Sequence, residues 1–236
     1  MGYIALEIDG ARIAFTDRHG GVSIRPYDTA NLGFATGDDP AAVTENRRRV
    51  AHELGDAEAW AWVRQVHGAG VVAVDAPGSG GDADALVTTG TGLALVVLAA
   101  DCAPIALVAG HAVAAVHCGW RGLVAGVVEA AVQGVRERGR TPVRAVVGPC
   151  ISAAHYEFGG DALEHVTRRV GPAVRARTEA GAPALDLRAG VGAALASAGV
   201  DDRTDVDVCT YASADYFSHR RDGVTGRQAL IVTRSS

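Results

Sequence analysis

Three side chains with metal-binding chemistry stand at the ends of three apolar segments. His67 closes residues 59–67, Cys102 follows the run 93–100, and His117 closes 113–117. Two imidazoles and a thiolate are the donors a catalytic zinc takes when its fourth position is kept for water or substrate. An ion so held polarises an oxygen and brings the pKa of water down to about 7. The three residues are too widely spaced for a local metal knuckle, so distant strands must carry them together. Copper also suits two histidines and a cysteine. The weak axial methionine that such centres often add has one candidate here, Met1, and no two histidines are spaced H-x-H. A metal-free chemistry uses the same residues, with Cys102 as nucleophile and His117 as base. Taken singly, each residue fits equally a packed core histidine, a buried thiol or a surface imidazole.

The elements that must position these residues follow from turn signals and periodicity. Residues 3–8 and 12–16 alternate as two strands joined at Asp9-Gly10. Residues 18–33, rich in Gly, Pro, Asp and Asn, read as a long functional loop anchored by Ile24, Tyr27 and Leu32. Asp38 or Asp39 caps a helix with Pro40 at its first position and Gly55 beyond Leu54. Further strands are expected at 59–67, 70–75, 84–88, 93–100, 105–108, 113–117, 144–147, 206–209 and 228–232, with a turn-rich stretch at 77–81. Helices are expected at 121–138, 159–170 and 187–198. In the first of these, Leu123, Val127, Val128, Ala131 and Val135 follow the 3.6-residue period. The pattern predicts a mixed α+β fold in a single domain spanning residues 1–236.

Composition narrows the function classes. Of the 236 residues 48% are hydrophobic, enough for a sizeable core, and the net charge is −5. An acidic balance argues against nucleic acid as a partner, which calls for a basic face. The longest apolar stretch is interrupted by Asp101 and Pro104, short of the roughly 20 residues a membrane span needs. The N-terminus lacks the charged and apolar regions of an export signal. Four cysteines without a framework spacing fit reduced thiols in the cytoplasm.

Other motifs fail or stay local. Residues 78–83 match G-x-G-x-x-A, but a strand follows them where phosphate binding needs a helix. Pro149-Cys150 matches part of the zinc deaminase signature, yet Ala153 stands where a second cysteine belongs. Arg220-Arg221 beside Tyr216-Phe217 is a basic cluster that also fits a solvated turn. Arg121, four residues past His117, holds phosphate or pairs with Asp84 or Asp101.

Taken in order, the short motifs resemble one family. They are NLG at 31–33, NR at 46–47, QVHG at 65–68, DALVT at 84–88 and ADC-P at 100–104. HCGWRG at 117–122, GPCI with HYE at 148–157, CT at 209–210 and FSHRRDG with GRQ at 217–228 follow. The chain resembles, over nearly its full length, the bacterial laccase-domain family, also called the polyphenol oxidase or peptidoglycan-editing-factor family. Its members are viewed largely as purine nucleoside phosphorylases with adenosine deaminase activity. The resemblance implies a sandwich of mixed β-sheets with flanking helices, akin to a fold of cysteine hydrolases. It implies His67, Cys102 and His117 as metal ligands, with zinc as the ion and copper under the older name. It implies a pocket lined by Asn31, Arg47, Gln65, Asp101, Arg121 and Arg221, with Arg47 and Arg221 on phosphate, and catalytic roles for Cys102, Asp101 and Arg47. Adenosine, inosine and methylthioadenosine are the expected substrates, and assembly into a homo-oligomer stays open. A copper phenol oxidase, a Cys-His hydrolase or amidase acting on cell-wall peptide and a zinc-stabilised binding protein remain the rival readings. Cys118 stands where the family usually has alanine.

Overall fold

In the computed structural model, which describes residues 1–55, 59–140 and 142–235, apolar alternation builds two six-stranded mixed sheets. The strands begin with β1 (Tyr3–Ile8), β2 (Ala11–Thr16), β3 (Trp60–Arg64), β4 (Val71–Ala73), β5 (Gly78–Asp82) and β6 (Ala85–Thr88). β7 (Ala94–Ala99), β8 (Ala103–Ala109), β9 (Ala112–Cys118) and β10 (Arg144–Val147) follow. The last are β11 (Arg175–Arg177), β12 (Pro183–Leu185), β13 (Asp202–Asp205) and β14 (Gln228–Arg234). One sheet has the order β1-β2-β14-β7-β3-β5 and the other β13-β10-β8-β9-β6-β4, while β11 and β12 form a small hairpin apart. The helices are α1 (Pro40–Leu54), α2 (Trp120–Ala125), α3 (Val127–Arg138), α4 (Gly160–Val170), α5 (Leu187–Ser197) and the short α6 (His219–Asp222).

Successive side chains of a strand point to opposite faces, and the core divides along that rule. Ala106 and Val108 of β8 join Phe15, Leu95 and Leu230 between the two sheets. Ile105 and Leu107 of the same strand join Val128, Val132 and Val191 beneath α3 and α5. On the outer face of the first sheet, Val50 and Leu54 of α1 cover Trp60, Val96 and Ile231. The result is four layers, helix, sheet, sheet, helices, with β8 and β9 buried on both faces. At the start of α1, the Asp39 carboxylate accepts from the Ala41 N–H with Pro40 in the first turn.

Three expectations from the sequence change. The helix foreseen over 121–138 is two helices, because Gly126 adopts φ 91°, a left-handed conformation that ends α2; the apolar period runs unbroken across the joint and conceals it. The turn-rich stretch at 77–81 forms β5, an edge strand pairing parallel with β3. The strand expected at 206–209 is absent, and Cys209 makes only an isolated bridge to Cys150. Its place beside β10 is taken by β13, whose four exposed residues, Asp-Arg-Thr-Asp, carry no apolar alternation.

Candidate metal centre

The chain crosses repeatedly between the two large sheets, and two of these crossovers each carry a donor. β3 lies in the first sheet and β4 in the second, and His67 sits in the turn between them. β7 lies in the first and β8 in the second, and Cys102 sits in that link. Both links force a non-glycine residue to positive φ, 57° at His67 and 94° at Asp101. Such conformations cost on the order of 1–3 kcal/mol and persist only where the surroundings hold them. The third donor, His117, is in β9 opposite Pro104 of β8, so the ladder brings it beside Cys102.

The convergence is close. The donor atoms of His67, Cys102 and His117 all lie within 4.8 Å of one another, and the two imidazoles stack at a tilt with centroids 4.9 Å apart. Gly119 makes the room: a Cβ there would stand 2.9 Å from Cys102 Sγ and 3.3 Å from His67 Nδ1. Among the described residues, no other trio of His, Cys, Asp or Glu is gathered this way. Met1, the one methionine, packs instead near α1, its amino group on Glu53.

Asp84, one residue before β6, organises the cluster. Its fully buried carboxylate accepts from the backbone N–H groups of Val66, His67 and Gly68 at 3.2, 3.0 and 2.7 Å. The same carboxylate meets His117 Nδ1 at 2.9 Å. Burial alone would raise the Asp84 pKa, but the hydrogen bonds from His117 and the Gly68 N–H hold it below its ordinary value. An ionised carboxylate only accepts, so Nδ1 of His117 carries the proton and Nε2 is left for Cys102 or an ion. Burial works to lower the His117 pKa, but attraction to Cys102 and the bond to Asp84 outweigh it and push it up to about 9. Desolvation, reinforced by His117, lowers the His67 pKa and favours its neutral, ligating form. Soft and nitrogen donors, a fixed tautomer and a cradle cleared by Gly119 together fit a metal ion with an open position.

The three donors line a cavity of about 540 Å³. Arg47 lines it too. Its Nε donates to the Leu32 carbonyl at 2.8 Å and its guanidinium lies 4.4 Å over the Phe34 ring. Burial pushes its pKa down to about 10, still charged at neutral pH. Gln65 lines the cavity while its amide pairs with the Leu98 backbone at 2.7 and 2.8 Å.

The remaining residues expected around the substrate are not on the cavity wall. Asn31 is fully buried: its side chain binds Thr36, Asp38 and the N–H groups of Gly33 and Arg227, fixing the loop that carries Phe34. Asp101 accepts from Thr210 Oγ1 and the Arg220 N–H, both at 2.7 Å, tying distant loops to the residue before Cys102. Arg121 is exposed and lies over Trp120, and Asp84 and Asp101 are both committed to other partners. Arg221 spends its guanidinium on the carbonyls of Thr210, Tyr211, Ser213 and Tyr216 and on Asp222. It is a clamp with no donor to spare.

Sequence reasoning passed over other wall residues: Phe34, Trp62, His219 and Arg227. His219 donates Nδ1–H to the Gly223 carbonyl at 2.7 Å, which leaves Nε2 unengaged by that bond. Arg227 uses one terminal nitrogen on the Thr225 and Gly226 carbonyls. The motifs FSHRRDG and GRQ contain both residues, but motif spacing does not say which of three arginines faces the cavity.

A protein-family model described as multi-copper polyphenol oxidoreductase laccase matches residues 12–235. A purine nucleoside phosphorylase of Streptomyces coelicolor is 51% identical over 236 residues, covering 95% of this chain and 96% of its own length. A purine nucleoside phosphorylase of Shigella flexneri is 36% identical over 228 residues, covering 94% and 93%. Among solved structures, YlmD from Geobacillus stearothermophilus superposes with a TM-score of 0.90 at 32% identity, covering 96% of this chain and 93% of that one. A Neisseria meningitidis protein superposes with a TM-score of 0.87 at 32% identity, covering 99% of each.

Proposed function

The chain belongs to the multi-copper polyphenol oxidoreductase laccase family, and from that membership we propose that it is a purine nucleoside phosphorylase with a zinc ion on His67, Cys102 and His117. The observation that carries the reading is the His-Cys-His cluster, single among the described residues, opening on a cavity that also holds arginine and flat aromatic walls. Relatives named purine nucleoside phosphorylase over nearly the whole length support it. Bound there, the ion would polarise an oxygen of the substrate or of water.

The chain's own groups supply the rest. In phosphorolysis a phosphate oxygen bonds to the anomeric carbon of the ribose as the glycosidic C–N bond breaks. The electron pair leaves on the purine nitrogen, which takes up a proton. Arg47 and Arg227 hold the phosphate, because a guanidinium fork suits its oxygens and both keep N–H groups unspent among the described residues. Phe34 and Trp62 offer flat faces for the purine. His219, fixed through Nδ1 on Gly223, enters as the imidazolium, gives its Nε2 proton to the leaving base and is left as the neutral Nδ1–H ring. Adenosine, inosine and methylthioadenosine each carry a purine base on a ribosyl ring through the same kind of C–N bond, and deamination of adenosine would use the same cavity. Four free cysteines fit a cytoplasmic setting.

The test is a product assay on purified protein beside elemental analysis. Adenosine or inosine with inorganic phosphate is expected to give ribose 1-phosphate and free base, with about one zinc per chain. Absence of ribose 1-phosphate at every metal loading overturns the reading. Phenol oxidation with bound copper would support the oxidase instead.

A further inference from the structure

Two of the three donors share one support. The hydrogen bonds that link the His67 turn to His117, among the described residues, run through Asp84. The contact is doubled in the backbone, where the His117 N–H donates to the Asp84 carbonyl at 2.7 Å. Three successive N–H groups closing on one anion make a nest, and here the anion is internal to the protein. It stabilises the left-handed His67 backbone, φ 57°, a conformation a non-glycine residue rarely adopts. On the opposite side the same carboxylate fixes the His117 tautomer. A carboxylate behind a ligating histidine raises its basicity and locks its ring.

We propose that Asp84 is the positioning residue of the centre, setting both histidine donors at once and so the affinity for the ion. This rests on the reading of the cluster as a metal site. The geometry separates the role from general stability. Asp101 is also a buried aspartate beside a donor, yet it binds Thr210 and Arg220 rather than a donor side chain. Asp84 binds the ring of one donor residue and the backbone N–H of the other.

The experiment measures zinc affinity of the full chain by competition with a chromophoric chelator, with the melting temperature of the metal-free protein recorded alongside. Asp84→Asn is expected to weaken zinc by about 10- to 100-fold at an unchanged stoichiometry of binding. Asp186→Ala, which removes the cap that accepts from the Ala189 N–H at the start of α5, is the comparison. It lowers the melting temperature but leaves zinc affinity within about threefold, since a cap loss acts on folding alone. Equal zinc affinity in Asp84→Asn and the wild type, or an equal loss in both variants, overturns the proposal. Should Asp84→Asn fail to fold, nitrogen NMR of the zinc-loaded wild type decides. Ligation of His117 through Nε2 with Nδ1–H retained is expected, and ligation through Nδ1 overturns it. A wild type that binds no zinc fails the metal reading itself, and this inference with it.

Discussion

Two regions of the molecule carry arginines from the ordered motif set and do opposite things. Along the cavity, Arg47 commits among the described residues only its Nε to a hydrogen bond, at Leu32, and faces aromatic rings. In the clamp formed by residues 210–222, Arg221 satisfies four carbonyls and a carboxylate. A buried carbonyl left without a donor costs about 1–3 kcal/mol, so the clamp arginine stabilises loops, and a new anion would have to displace bonds already made. The cavity arginine is partly buried and, among the described residues, has donors unspent by protein. What distinguishes a binding group from a structural one here is the bonding capacity left over after folding.

The sharpest break between the regions is expected at Cys102. Cys102→Ala removes the sulfur donor and should lose the ion and bring phosphorolysis to background, with the fold retained; circular dichroism, elemental analysis and the product assay together check this. Next comes His219→Asn, which keeps the Gly223 contact within reach but cannot donate a proton to the leaving base. Turnover should fall by roughly 100- to 10,000-fold, the usual scale of general acid catalysis, with zinc content unchanged. A smaller loss would place proton donation elsewhere. Arg47→Ala should raise the KM for phosphate by roughly 10- to 150-fold, the equivalent of about 1.5–3 kcal/mol for hydrogen bonds to a charged group. Its zinc affinity should not move.

Arg221→Ala is the matching test on the other region. It should cost about 1–3 kcal/mol of stability, read as a shift of about 2–4 °C in melting temperature per kcal/mol, with the KM for phosphate in the folded protein within about twofold of wild type. If phosphate affinity fell as far as in Arg47→Ala, the distinction between spent and unspent donors would be wrong. The smallest effect belongs to Cys118→Ala. That thiol is fully buried, and burial pushes its pKa well above the ordinary thiol value. Among the described residues its one hydrogen bond is to the Gly119 carbonyl at 3.8 Å. Zinc content and turnover should stay within about twofold.

Much of the frame was legible because burial writes itself into pattern. β8 and β9 are continuous apolar runs since both their faces are covered, and the α1 cap at Asp39-Pro40 is a local matter of one side chain and one N–H. β13 was not legible, because an exposed edge strand is held by backbone bonds to β10 and its side chains are free to be polar. Gly126 was visible as a residue, but the left-handed turn it makes between α2 and α3 was not.

The sequence by itself determined the donor set, the apolar strands that end in it and the family to which the motif order points, since these depend on residue type and near neighbours. Only the tertiary structure decided that the crossovers carrying His67 and Cys102 meet His117 of β9, that Asp84 serves two donors, and that Arg47 and Arg227 border the cavity while Arg221 does not. The reason is physical: hydrogen-bonding capacity is shared out among groups far apart in the chain, and what remains for a ligand is known only after the fold has taken its part.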